Sequence, residues 1–545
     1  MAEIKLKKQK KSLWGYLLLI IVAVVLGGGA TYTYLRFFQG EELTIAEGSM
    51  VIPEQALMVT FILTNEEKWE NLTKIDNPQT QKILTQTMEK LPAKFLGQNN
   101  LNYQKDVEPW LGNMMLAFLP SAENKYELLG IFGIKNKFKA LQFANQLRQD
   151  KTYKFKLGNY RGVTIIEAIN SDEFVLNYAV IKNKLIVARQ RKTIELAIDT
   201  FQGMPSFNSY HDNIQQEFSL QNKIINIYIP DYLRIVKEQI YDSSLSQKIP
   251  NTTIEKIGAV KSVFAGIGLE QNGIHLQAIA QIDNQIIKSK FTPKNTKLLN
   301  KLPQDSLLLL TGNDLTTSWL RVTEQAQEIP EFNYWLSESR EFFKILNLDL
   351  DKEILGWLNG EFALGISQAN QGIFNNFAGL NIASTIILET SDRPTALLTI
   401  DKVEKLAQKT DLIEVNTKKI ANKTITEWKT YPDEILLSYT WENENIFLMT
   451  IGESIDKLTG VTIKNSLASS PIFQDITANL PALNLGYFYL DMEQFMKVLN
   501  SFPLTKNQPL PPEINTLLNS FQGIAFTGTM RDETTPQFDL ILSIN

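Results

Sequence analysis

DVEPWLGNMMLAFLP, Asp106 to Pro120, and DKEILGWLNGEFALGI, Asp351 to Ile366, follow one plan. Each runs from an acidic residue through a tryptophan and a glycine into an apolar stretch of strand length. Asp106, Trp110 and Gly112 carry the pattern first, and Asp351, Trp357 and Gly360 carry it again. A tryptophan beside a turn glycine is the mark of a packing plug at the start of a strand. Its recurrence makes a structural role the natural one, because two homologous domains must solve the same packing problem.

Working outward, further pairs appear in the same order. VIPEQALMVTFILTNEEKW (Val51–Trp69) answers KLPQDSLLLLTGNDLTTSW (Lys301–Trp319), each a proline followed by an apolar strand. An amphipathic helix follows, marked by Ile83, Leu84, Met88, Leu91 and Phe95, and again by Phe332, Trp335, Leu336, Phe342 and Leu346. IINIYIPDYLRIV with Asp231 matches LGYFYLDMEQFMKVL with Asp491. Between these markers, short alternating runs such as GVTIIEA and FVLNYAV are joined by turns, which favours antiparallel sheets with one face covered by helices. The unit is far longer than a solenoid repeat, so the halves read as duplicated domains.

The start of the chain differs from the rest. Residues 1–12 hold five lysines against Glu3, and Leu13 to Leu35 is free of charge over 23 residues. At about 1.5 Å per residue such a helix crosses a hydrocarbon core of roughly 30 Å. Trp14 and Tyr16 at one end and Tyr32 and Tyr34 at the other suit the headgroup level, and the lysines place the N-terminus in the cytoplasm. The expected fold class is therefore α+β: one N-terminal transmembrane helix, then two tandem homologous domains of antiparallel sheet with helices on one face. The expected boundaries are a basic tail (1–12), a transmembrane helix (13–35), a short tether (36–50), repeat domain 1 (51–282), a linker (283–300) and repeat domain 2 (301–545). The bulk is expected in the periplasm or thylakoid lumen.

The lysine-rich start with its apolar run, the VIPEQALMVTF opening, DVEPWLG and LGIFGIKNKFKALQFANQL (Leu129–Leu147) together resemble a family of N-terminally anchored proteins widespread in cyanobacteria and known only as a domain of unknown function. The resemblance spans essentially the whole chain after the anchor. It implies a cyanobacterial origin and a choice between plasma membrane and thylakoid, and it brings no activity, cofactor or catalytic residue.

Chemistry has few handholds here. There are no cysteines, which excludes disulfides and thiolate metal sites, and only two histidines, His211 in a polar loop and His275 in a strand-like run. No phosphate-binding glycine loop, dinucleotide fingerprint, nucleophile elbow or H-E-x-x-H motif occurs. The body is more acidic than the net charge of −5, which speaks against nucleic acid. Asp349, Asp351 and Glu353 fall at alternate positions, which in an extended segment puts three carboxylates on one face, as a calcium site or an acid pair requires. A solvated acidic edge is the plainer account. No metal or cofactor is expected. The expected function is a non-enzymatic scaffold at the bilayer for envelope or thylakoid proteins, with an apolar-ligand (lipid or pigment) module and a carboxylate-based hydrolase as alternatives.

Overall fold

The computed structural model describes residues within 40–64, 103–210 and 220–544, apart from short gaps inside each stretch. Among the described residues, two ten-strand series follow one another. The first comprises β1 (Met58–Ile62), β2 (Leu111–Pro120), β3 (Tyr126–Ile134), β4 (Lys154–Tyr160), β5 (Val163–Ile169), β6 (Val175–Ile181), β7 (Lys184–Ala188), β8 (Lys223–Ile229), β9 (Val260–Glu270) and β10 (Gly273–Ile282). The second comprises β11 (Ser306–Asn313), β12 (Glu361–Gln368), β13 (Ile382–Glu389), β14 (Ile413–Ile420), β15 (Lys423–Thr430), β16 (Glu434–Trp441), β17 (Ile446–Ile451), β18 (Tyr487–Asp491), β19 (Phe521–Asp532) and β20 (Thr535–Ile544).

By packing, the described residues form two compact units that part at residue 217, inside the first repeat of the sequence. In the first unit the strands pair antiparallel in the order 1-2-3-7-6-5-4. Its core gathers Trp110, Leu111, Met114, Phe132, Phe143 and Val187. In the second unit the same run recurs as 11-12-13-17-16-15-14. There β11 also pairs with β18, followed by β19, β20, β10, β9 and β8. The closing hairpin of the first series, β9–β10, thus joins that of the second, β19–β20, through the β10–β20 pairing, which places it in the second unit. The core of this unit includes Leu302, Leu309, Ile387, Ile425, Phe473 and Tyr489. Residues 283–300 contribute to it too, since Leu298 and Leu299 are buried.

Alternation explains the strands. In β12 buried and half-buried residues alternate over Glu361–Ser367, so one face meets the core. Helices fill the connections, among them α1 (Lys137–Gln149), α2 (Arg191–Phe201), α3 (Leu315–Ala326), α4 (Pro330–Ile345), α5 (Arg393–Gln408) and α6 (Met492–Ser501). Asp392 caps α5 by accepting the Thr395 amide, and Asp491 caps α6 by accepting that of Gln494.

Two expectations are corrected. The fold class is not a transmembrane helix followed by α+β domains, because strand outweighs helix among the described residues and none of their helices can span a bilayer. Nor is the single-pass anchor supported, with the periplasmic or lumenal location drawn from it: among the described residues no helix is long and apolar enough to cross a membrane. The longest described helices, α4 and α5, have 16 residues each. They reach only about 24 Å at the helical rise and carry charges along their length. Residues 13–35, with Trp14, Tyr16, Tyr32 and Tyr34, lie outside the described residues, as do His211, Trp69 and the helix expected over Ile83–Phe95.

Candidate functional site

The signature tryptophans are held by one device used twice. Tyr103–Val107 and Leu350–Ile354 each form a turn of π-helix. The Trp110 indole N–H donates to the Asp106 carbonyl at 2.9 Å, and that of Trp357 to the Glu353 carbonyl at 3.0 Å. Aligned on this bond, Asp106 corresponds to Glu353, not to Asp351. Both rings are buried, Trp110 against Phe143 and Trp357 against Phe447. At Gly360 a Cβ would sit 2.4 Å from the Glu389 carbonyl oxygen, and at Gly112 it would sit 3.3 Å from that of Gly133, so both glycines let a neighbouring strand approach.

Because residues 350–354 coil, the three acidic candidates do not share an extended face. The Asp349 carboxylate accepts the Lys352 amide at 2.9 Å, and the Asp349 amide donates to Glu353 Oε2 at 2.9 Å. Asp351 is gripped by Arg340, with Nε donating to Oδ2 at 2.8 Å and Nη2 to Oδ1 at 3.1 Å, while the Trp319 indole donates to Oδ1 at 2.7 Å. Glu353 pairs with Lys402. Around them lies an open groove of about 580 Å³ in which Arg340, Lys344, Lys352 and Lys402 alternate with the carboxylates. Burial pushes the Asp351 carboxyl up, but the Arg340 and Trp319 hydrogen bonds outweigh it and hold the group below the usual carboxylate range. Glu353 is likewise lowered, first by Lys402 and then by the Asp349 amide. Carboxylates so neutralised are poor proton donors at neutral pH and weak bases. Among the described residues, no group of three histidine or carboxylate side chains could hold a metal ion.

Above this groove stands α4, apolar on two sides. Leu336 is buried and Phe332, Arg340 and Phe343 are half-buried, so this side seats the helix. The opposite side leaves Tyr334 68%, Trp335 53%, Phe342 58% and Ile345 82% exposed. Residues 335, 338, 342 and 345 recur at steps of three and four, the spacing of one helical stripe. Of the residues that mark this helix in the sequence, Trp335 and Phe342 stand on the outer side.

Sequence reasoning also missed a buried network in the second unit. His275 is fully buried on β10, with Nδ1 3.1 Å from Glu270 Oε1 and Nε2 2.9 Å from Asp539 Oδ1. Gln277 and Gln537 donate to the two oxygens of Asp539 at 2.6 and 2.7 Å, and Asn479 donates to Glu270 at 3.3 Å. Arg531 Nε donates to Gln537 at 2.6 Å. Burial pushes the imidazole down, but hydrogen bonds to Asp539 and Glu270, with their charges, raise it to about 9. His275 is therefore an imidazolium at neutral pH, donating from both nitrogens. It is closed off from solvent, which suits a structural ion cluster and not a catalytic base.

The fold and these sites define a duplicated antiparallel-sheet protein that presents an aromatic helix face beside a charged groove. The chain belongs to the family described as "Protein of unknown function (DUF3352)", whose model matches residues 17–544. No curated protein matches it. Among solved structures, crystal forms I, III and IV of TP0453 resemble it at 10–11% identity and TM-scores of 0.26–0.27. The matches cover 43–46% of this chain and 79–88% of those chains. A likeness at that level carries no argument.

Proposed function

We propose that this chain is a non-enzymatic interaction protein whose second unit presents the outward face of α4. The observation that carries this reading is the exposure of Tyr334, Trp335, Phe342 and Ile345 together on one helix. Clustered large apolar side chains on a surface mark a binding face, whereas single exposed ones do not. The cyanobacterial origin implied by the sequence resemblance is part of the same proposal. At the acidic candidates a carboxylate hydrolase loses support, because it needs one carboxyl with a raised pKa, and both Asp351 and Glu353 are lowered. The groove offers an apolar ligand mainly charged walls.

The test is affinity purification of the tagged full chain beside its Phe342→Asp/Ile345→Asp variant, with any captured protein identified, purified and rebound. One stoichiometric partner that rebinds the parent chain and not the variant supports the reading. A partner that rebinds both equally, or retention of a stoichiometric small molecule instead of a protein, overturns it.

A further inference from the structure

We infer that the outward face of α4 docks a basic amphipathic helix of a partner protein. This rests on the interaction reading above and names the chemistry of the partner. The face is not simply apolar. Glu338 lies on the same stripe as Trp335, Phe342 and Ile345, and Glu341 lies beside it, four residues before Ile345; both are exposed. Glu338 has no ion-pair or hydrogen-bond partner among the described residues, and Glu341 meets only the exposed Lys344, at 3.2 Å. An exposed pair at that spacing is weak and readily exchanged for a better cation. The pattern presented to a partner is therefore aromatic and aliphatic contact area interleaved with carboxylates. Its complement is a helix with apolar residues on one stripe and Lys or Arg flanking them.

Other occupants fit less well. An anionic lipid leaflet would be repelled by Glu338 and Glu341 at the depth where the aromatic rings must insert. A second copy packed on α4 about a two-fold axis near residue 338 would bring Glu338 against its own counterpart, with no cation on the stripe to separate them. A basic helix places opposite charge at both positions.

The face is also prepared for docking. The buried Leu336 and the Arg340–Asp351 fork fix α4 from behind, so little ordering is required on binding. Four side chains of roughly 150–250 Å² each, more than half exposed, offer on the order of 500 Å² of apolar area. That is a large share of the ~800 Å² per partner in a standard interface.

The experiment uses the full chain and a fluorescein-labelled amphipathic peptide of about 18 residues built from leucine and lysine. A leucine–glutamate peptide of the same pattern and phosphatidylcholine–phosphatidylglycerol vesicles serve as counter-probes. The expected result is saturable one-to-one binding of the lysine peptide. Binding should weaken at least about tenfold in Phe342→Asp/Ile345→Asp and, separately, in Glu338→Lys/Glu341→Lys, both exposed variants that should keep the parent thermal midpoint. No binding of the lysine peptide, equal binding across the variants, equal binding of the glutamate peptide, vesicle binding that depends on Ile345, or dimerisation lost in the Phe342→Asp/Ile345→Asp variant would each overturn the inference. A purified natural partner that needs α4 yet is not displaced by the lysine peptide would sink it while leaving the interaction reading intact.

Discussion

Replacing His275 by glutamine should remove a pH dependence of stability that the parent chain carries. In the fold the imidazole sits between Glu270 and Asp539, with Gln277, Gln537, Arg531 and Asn479 completing the surround. Its pKa rises from 6.5 to about 9. A group with a raised folded pKa stabilises fully below its unfolded value, so the contribution is whole below about pH 6.5. It declines as pH rises from there and is spent above about pH 9, because the folded chain holds a proton across that window that the unfolded chain has released. At about 1.4 kcal/mol per pH unit, the window is worth on the order of 3 kcal/mol. The variant is expected to be less stable than the parent at pH 6 by a similar amount, since it leaves two buried carboxylates without the imidazolium, and to lose far less on going to pH 9.5. Urea unfolding at pH 6, 7.5 and 9.5, followed for both proteins, gives the comparison, and the difference between the two profiles cancels titrations elsewhere. A parent midpoint that rises between pH 6 and 9.5 relative to the variant, or two parallel profiles, refutes the reasoning.

Trp357→Phe should cost on the order of 1 kcal/mol, because the Glu353 carbonyl loses its indole donor but keeps the Thr399 hydroxyl at 2.6 Å, and Trp110→Phe should cost a similar amount through the Asp106 carbonyl; thermal unfolding of the two variants checks this. Gly360→Ala should destabilise far more than Gly112→Ala, since the added carbon lies 2.4 Å from the Glu389 carbonyl oxygen in one case and 3.3 Å from that of Gly133 in the other; their denaturation midpoints decide it. Arg340→Met should lower stability by about 1–2 kcal/mol through loss of a partly exposed fork to Asp351, and proteolysis within α4 should quicken as its seat loosens. Equal proteolysis of parent and variant would mean that the ion pair does not hold the helix.

Proline, tryptophan and glycine recur in one order along the sequence, and among the described residues a seven-strand pairing order also occurs twice, though that order itself cannot be read from those markers. Other features are not legible there. The alternation of Asp349, Asp351 and Glu353 has the period of a strand, and nothing in polarity alone reveals that residues 350–354 coil into a π-turn. The spacing of Phe332, Trp335, Leu336, Phe342 and Leu346 satisfies a helical period but cannot separate two opposed apolar stripes, so it hides which one is buried. Along β20, alternation sends Gln537, Asp539 and Ser543 outward while the fold buries all three. Ser543 is met by Gln522 of β19 and Gln537 by Arg531, while Asp539 is met by His275 and Gln277 of β10, over 250 residues earlier, a pairing that no local pattern announces.

That pairing also explains why its polar residues differ between the repeats. Gln277 lies four residues after Gly273, which closes the β9–β10 hairpin opposite Glu270, and Asp539 lies four residues after Thr535, which closes β19–β20 opposite Asp532. The two side chains thus hold the same place in their hairpins, and the register sets them directly opposite each other. Identical hairpins paired in this way would bring like against like: two aspartates would repel in a buried site, and two glutamines would leave the imidazolium one carboxylate short. Two repeats in one chain can diverge at this position. With Gln277 donating to Asp539 at 2.6 Å and His275 donating to the same carboxylate, the seam is satisfied only when each repeat keeps its own residue. Making the pair symmetric should therefore cost more than its chemistry suggests. Asp539→Gln deprives His275 of one of its two anions and should lower its pKa. Gln277→Asp adds a third buried carboxylate facing one imidazolium and removes the amide that donates to Asp539, so it should destabilise the fold.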